Sequence, residues 1–207
     1  GQLGFQIKVG FGSTVKAIEK QSIKSRGPEI ELVRLTNGNV LVCLSTKNNT
    51  AKYYNQKGDT AQANSVLIDA RLKNKRIKEA FKAHYNYSKV YFITTEEQSR
   101  ICNGNFDVLV EDINSQKVKF STIANEFYVF FKPGSIYGKP NSFSKEGYHF
   151  LNKDCRKLAD PFPSNDFAAA NFTSDFNALV KELNKRLKSR EAYIRSKKYF
   201  STDLLNP

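Results

Sequence analysis

Methionine is absent from this chain, histidine occurs twice, cysteine three times, and acids are outnumbered by lysine and arginine, 20 against 33. Each shortage excludes something. No apolar run approaches the ~20 residues of a bilayer span and residues 1–12 lack a long apolar core, so neither a transmembrane segment nor a secretory leader is expected. Cys43, Cys102 and Cys155 are odd in number and widely spaced, which argues against a disulfide framework and predicts free thiols in a cytoplasmic or other reducing compartment. His84 and His149 share no ligand spacing with any cysteine, so a zinc site is not expected. With methionine missing even at position 1, Gly1 is expected to be the start of a processed product or a tag remnant.

What remains is a chain of 207 residues, 40% hydrophobic and 13% aromatic, enough to build a core. Its net charge of +13 favours polyanions, nucleic acid first, then anionic membrane and acidic protein. The pattern predicts a single α/β (or α+β) domain over residues 1–207. A sheet core would fill residues 1–132, and an aromatic-rich loop with a C-terminal helix residues 133–207.

The centre of that expectation is Glu29 to Thr46. Two runs rich in Ile, Leu and Val flank Asn37-Gly38, a dipeptide suited to a type I′ turn, and predict a β-hairpin over 29–46 in a mixed sheet. Before it, LGFQIKV alternates as a half-buried strand over 3–9, and Ser13 opens a helix over 13–25 that Gly27-Pro28 would end. After it, KNNTAKYYNQKGD has no apolar period and reads as a mobile basic loop. Helical spacing of Ala63, Leu67, Ala70, Ile77, Phe81 and His84 predicts a helix over 60–84. Then follow a strand at 89–94, a short helix at 96–101, a hairpin joining 106–113 to 117–122, and a strand at 126–132. Phe176, Leu179, Val180, Leu183, Leu187 and Ile194 predict a last helix over 174–198.

The sharpest motif is GFQIKVGFGST. Gln, one residue, then Lys on a strand that turns into a helix resembles the second half of the PD-(D/E)XK nuclease motif. Gly4, Phe5, Ile7, Lys8 and Gly12 in particular resemble the GFxIK-plus-Gly stretch of HpaII-like restriction endonucleases. The likeness covers about a dozen residues. It implies a Mg²⁺-dependent endonuclease, with Lys8 positioning the attacking water and Gln6 helping to arrange the metal. In that family the metal-binding Asp comes from an upstream strand, which has no counterpart before Gly1; Asp107 and Glu111 are the nearest strand-borne substitutes. Gly10, Gly12 and Ser13 also offer backbone amides at a helix N-terminus, suited to a phosphate. The Gly-Lys-Ser/Thr ending of a Walker A loop is missing, as is the third glycine of the dinucleotide fingerprint, which argues against a nucleotide cofactor.

Two helix faces carry aligned cations: Arg71, Lys75, Lys78 and Lys82 on the first long helix, Lys181, Lys185, Lys188 and Arg195 on the last. A charged stripe is what any surface helix shows, yet acids are sparse on both. Lys47, Lys52 and Lys57, interleaved with Tyr53 and Tyr54, extend the pattern toward a nucleic-acid surface. Two functions follow: a nucleic-acid-binding endonuclease using Mg²⁺, or a non-catalytic module holding RNA, DNA or an acidic protein on the same faces.

Overall fold

The computed structural model describes residues 26–136, 145–166, 175–198 and 200–205. The strand expected at 3–9 and the helix expected at 13–25 lie outside them. The α/β character holds: a seven-stranded mixed sheet, its strands in the order 117–119, 109–112, 89–94, 39–44, 128–136, 145–151 and 165–166, carries helices on its faces.

Residues 29–46 do not form a hairpin. Gly27–Arg34 is helix α1, a short 3₁₀ turn covers Leu35–Asn37, and only Asn39–Leu44 is a strand, β1. Gly27-Pro28 starts this helix, because proline lacks the donor that a helix's first turn leaves unpaired and its φ is already helical. Glu29 in the first turn and Arg34 in the last complement the helix dipole, and Leu32 and Val33 turn inward. Gly38 is extended (φ −104°, ψ −159°), so no type I′ turn exists there. Glycine is required for another reason: a Cβ would stand 2.6 Å from the Phe127 carbonyl oxygen. Gly38→Ala should therefore cost ~1–2 kcal/mol by overpacking against a backbone that cannot yield alone. Urea unfolding at unchanged m-value measures it, and an unaltered midpoint would show that the approach is slack.

All six residues of β1 are buried. That follows from its place at the middle of the sheet, between β2 (Lys89–Thr94) and β5 (Tyr128–Ile136), both parallel to it. Outside these three, β3 (Leu109–Asp112), β4 (Lys117–Lys119), β6 (Lys145–Leu151) and β7 (Asn165–Asp166) all pair antiparallel. The sheet thus takes strands from both sides of residue 132, where an aromatic-rich loop was expected after it. Of the aromatics in that stretch, Tyr148, Phe150 and Phe162 are core; Tyr137, Phe143 and Phe167 lie outside the described residues.

One face of the sheet packs on α1, on α3 (Thr60–His84) and on α5 (Phe176–Arg195). The other is covered by α4 (Thr95–Cys102) and the segments around Val108, Phe120 and Ile123. The two parities of β1 divide between them, Val40, Val42 and Leu44 to the first, Leu41 and Cys43 to the second. The thiols do not all stay free. Cys102 at the end of α4 and Cys155 beyond β6 form a disulfide with Cα atoms 5.9 Å apart, so cysteine usage no longer argues for a reducing compartment. Cys43 alone is free, and burial pushes its thiol up to about 12, leaving it inert. No helix among the described residues is long and apolar enough to cross a membrane.

Candidate nucleic-acid interface

Helix α3 is far longer than the strand beside it: 25 residues rise ~37 Å, whereas the six residues of β1 span ~20 Å. Asn74 fixes where the surplus goes. Its Nδ2 donates to the Ser45 carbonyl, one residue past β1, at 2.9 Å. Residues before Asn74 therefore overhang the carboxyl edge of the parallel strands, and residues after it run back across the sheet. The overhang is steadied by α2 (Asn48–Gln56), which packs chiefly against α3.

The segment containing α2 is the loop that lacked an apolar period. Nine residues with one buried side chain, Ala51, give too weak a stripe for periodicity to register. The legible signals were at its end: Gly58 takes φ +79°, the left-handed stop that glycine provides, and Asp59 accepts from the Gln62 amide at 2.9 Å to cap α3.

Between α3 and the β1–β2–β3 part of the sheet runs a groove of about 530 Å³, and its helical wall is Arg71, Asn74, Lys75, Lys78, Glu79 and Lys82. The stripe read from the sequence thus lines one concave surface. A second hollow, between α2 and α3, continues past Leu67 to Asn48, Lys52 and Asn55. Leu67, Arg71, Asn74, Lys78 and Lys82 follow one another at helical steps of three and four, so the two hollows lie end to end along one side of α3. From Lys47 to His84 the sequence carries nine lysines and arginines against three acids.

The four groove cations are not equivalent. Lys78 donates to Glu111 Oε1 at 2.7 Å, and Lys117 reaches Oε2 of the same carboxylate at 3.3 Å. Burial acts to raise the Glu111 carboxyl, but the hydrogen bonds and charges of Lys78 and Lys117 outweigh it and hold it below the usual range. Lys78 is thereby committed to the fold. Lys75 is 73% exposed and 3.9 Å from Glu79, itself 63% exposed, a pair of little consequence. Arg71 and Lys82 meet no acid among the described residues and are exposed.

Other expected site residues fall elsewhere. Lys52 borders the α2–α3 hollow, and the Lys57 ammonium lies 5.8 Å from the Tyr53 ring centroid. Lys181, Lys185 and Lys188 stand exposed on α5 and line neither hollow, while Arg186 and Arg195 on the same helix are taken up by Glu182 and Glu191. Gln6, Lys8, Gly10, Gly12 and Ser13 lie outside the described residues.

Asp107 is on the loop before β3 rather than on a strand, with its amide bonded to Asn105 and its carbonyl to Arg100. Glu111 is on β3, but both carboxylate oxygens already hold ammonium groups. As disposed here the two do not fit a Mg²⁺ site, which needs carboxylates free to face a hard cation. No group of three or more His, Cys, Asp or Glu that could hold a metal occurs among the described residues. The sequence reading missed Asn48, Asn55 and Asn74, amides that no charge count would select. No protein-family model matches this chain, and neither does any curated protein or solved structure.

Proposed function

We propose that this protein binds nucleic acid in the trough along α3, with Arg71, Lys75 and Lys82 neutralising backbone phosphates and the amides of Asn48, Asn55 and Asn74 supplying hydrogen bonds. The supporting observation is the convergence of exposed cations on one concave surface that runs from the carboxyl edge of the parallel strands, where α/β folds commonly place ligands, back along the sheet. Between Arg71 and Lys82 the helix rises ~16 Å, enough to track several successive phosphates.

Binding should weaken steeply with salt, because each neutralised phosphate releases condensed counterion. Replacing Arg71, Lys75 and Lys82 together by glutamine should flatten the plot of log K against log salt by about 2 to 3 and leave the fold intact, since exposed charges contribute little to stability. The same change at Lys181, Lys185 and Lys188 should cost far less. Anisotropy titrations over a salt series decide it. Salt-insensitive binding, equal losses from the two triplets, or no binding at low salt would sink the assignment, the last leaving an acidic protein as the occupant of the trough.

A further inference from the structure

On the face of the sheet away from α3, the strand register groups three basic side chains. β5 pairs with β6 so that Lys132 stands directly opposite His149. Both share a face with Phe130 and Leu151, because residues two apart on a strand point the same way. Lys157 joins them from the segment after β6: it bridges Leu151, and antiparallel partners also point the same way. Lys132 and His149 are half-buried and Lys157 is exposed. Like charges set opposite one another on a sheet oppose folding, and half-burial removes part of the water that would screen them. The acids of this face are engaged or displaced. Glu96 and Glu97, at the start of α4, accept from Thr46 and Thr95 and from Thr94. Asp154 lines a separate hollow with Glu31 and Tyr128, and the backbone register sets Asp166 opposite Gly147, two residues along β6 from His149. Among the described residues, the side chains of Lys132, His149 and Lys157 form no hydrogen bond or ion pair. The result is visible at His149, whose imidazole is held below its ordinary 6.5 by burial first and then by Lys157 and Lys132. Cys43, next to Lys132 on β1, adds only a neutral thiol.

We propose that Lys132, His149 and Lys157 form a site for a phosphoryl group, independent of whatever occupies the trough. Two ammonium groups match a dianion, and the imidazole N–H supplies a further donor. A carboxylate would leave one of the two ammonium charges unanswered. The place suits a ligand, since Lys132 lies beside the carboxyl end of β1 and α/β sheets hold ligands at that edge. A bound dianion reverses the field at His149: with the lysine charges answered, the imidazolium becomes favourable, so anion and proton are taken up together.

The chain has two histidines, so proton NMR of the full-length protein can follow both imidazoles over pH, with His149→Gln assigning the signals. Sulfate is the first probe, because it stays a dianion throughout, whereas a phosphate monoester itself titrates at about 6. Saturating sulfate should raise the His149 midpoint by about one unit, and by linkage sulfate should then bind about tenfold tighter as pH falls through the two midpoints. Lys132→Gln and Lys157→Gln should each raise the midpoint found without sulfate and shrink the response to it. Inorganic phosphate should compete with sulfate. Tighter binding of 5′-phosphorylated than of unphosphorylated oligothymidine, lost in Lys157→Gln, would identify a strand end as the source of the phosphoryl group; equal binding of the two, with phosphate still competing, would identify a small phosphate. An unmoved His149 midpoint, a shift matched by chloride at equal ionic strength or by His84, or a midpoint already above 6.5 without anion, as a nearby Asp166 carboxylate would produce, would overturn the site.

Discussion

Phe131→Ala should be the most damaging single substitution in the core, lowering stability by ~3–5 kcal/mol through lost burial and an unfilled cavity. Phe131 is fully buried on β5, the strand beside the central β1, on the face that packs on α1, α3 and α5. Its ring contacts Phe81 of α3 at 5.4 Å between centroids, Tyr148 at 5.2 Å and Phe150 at 5.3 Å, and Phe150 passes the chain on to Phe162 at 5.5 Å. One ring thus ties the long helix to two strands and to the segment after β6, and each offset or edge contact adds to its area term. These neighbours are rigid aromatics on three elements, so collapse into the hole would demand concerted movement. In a chain of this length the loss corresponds to a fall in melting temperature of about 10 °C. Thermal and urea unfolding would measure it; a cost near 1 kcal/mol would mean that the aromatic row repacks freely.

The consequence for the site is direct. Phe81 is four residues from Ile77 and one from Lys82, so the row that anchors α3 to the sheet also sets the angle at which the cationic strip meets the groove. Lys75 and Lys82 face the groove because Ile77, Ala80 and Phe81 hold another side of the same helix in the core.

This division explains what could be read from the sequence and what could not. The bounds of α3, Thr60–His84, and of β2, Lys89–Thr94, agree with the hydrophobic periodicity, because each element is long or strongly alternating enough for one face to dominate. Residues 29–36 have apolar spacing that fits a strand as well as a helix over so short a run. There the deciding signals were the Pro28 start and the charges at the two ends, which outweighed the Asn37-Gly38 turn signature. The cationic stripe was legible because helical steps repeat in the sequence. The trough was not, since its other wall comes from three strands, β1, β2 and β3, drawn from both sides of α3 in the chain, and the partnership of Lys78 with Glu111 spans 33 residues. The Cys102–Cys155 pair was hidden for the same reason, being brought together only by α4 and the loop after β6 lying on one face.

Lys78→Glu should behave unlike charge reversal at Arg71, Lys75 or Lys82, and should destabilise the fold by ~2–3 kcal/mol. The Lys78 side chain is 32% exposed and Glu111 only 13%, so their pair is shielded from water far more than an open surface pair, though less than a fully interior one. Reversal removes the 2.7 Å hydrogen bond and sets a second carboxylate beside Glu111, leaving Lys117 alone to answer both. The pH dependence follows from the depressed Glu111 carboxyl. A folded-state value below the ordinary 4.5 means that the folded protein favours the ionised group, so its contribution is fully present above 4.5 and is lost as pH falls through the folded value. In Lys78→Ala the partner charge is gone while the burial that raises the carboxyl remains. The folded value should move up, and acid unfolding should begin at higher pH than in the parent. A double-mutant cycle with Glu111→Gln isolates the pair from the separate losses. Coupling within error of zero at neutral pH, or an acid transition unmoved by Lys78→Ala, would return Lys78 to the set of free groove cations and make its charge available to nucleic acid after all.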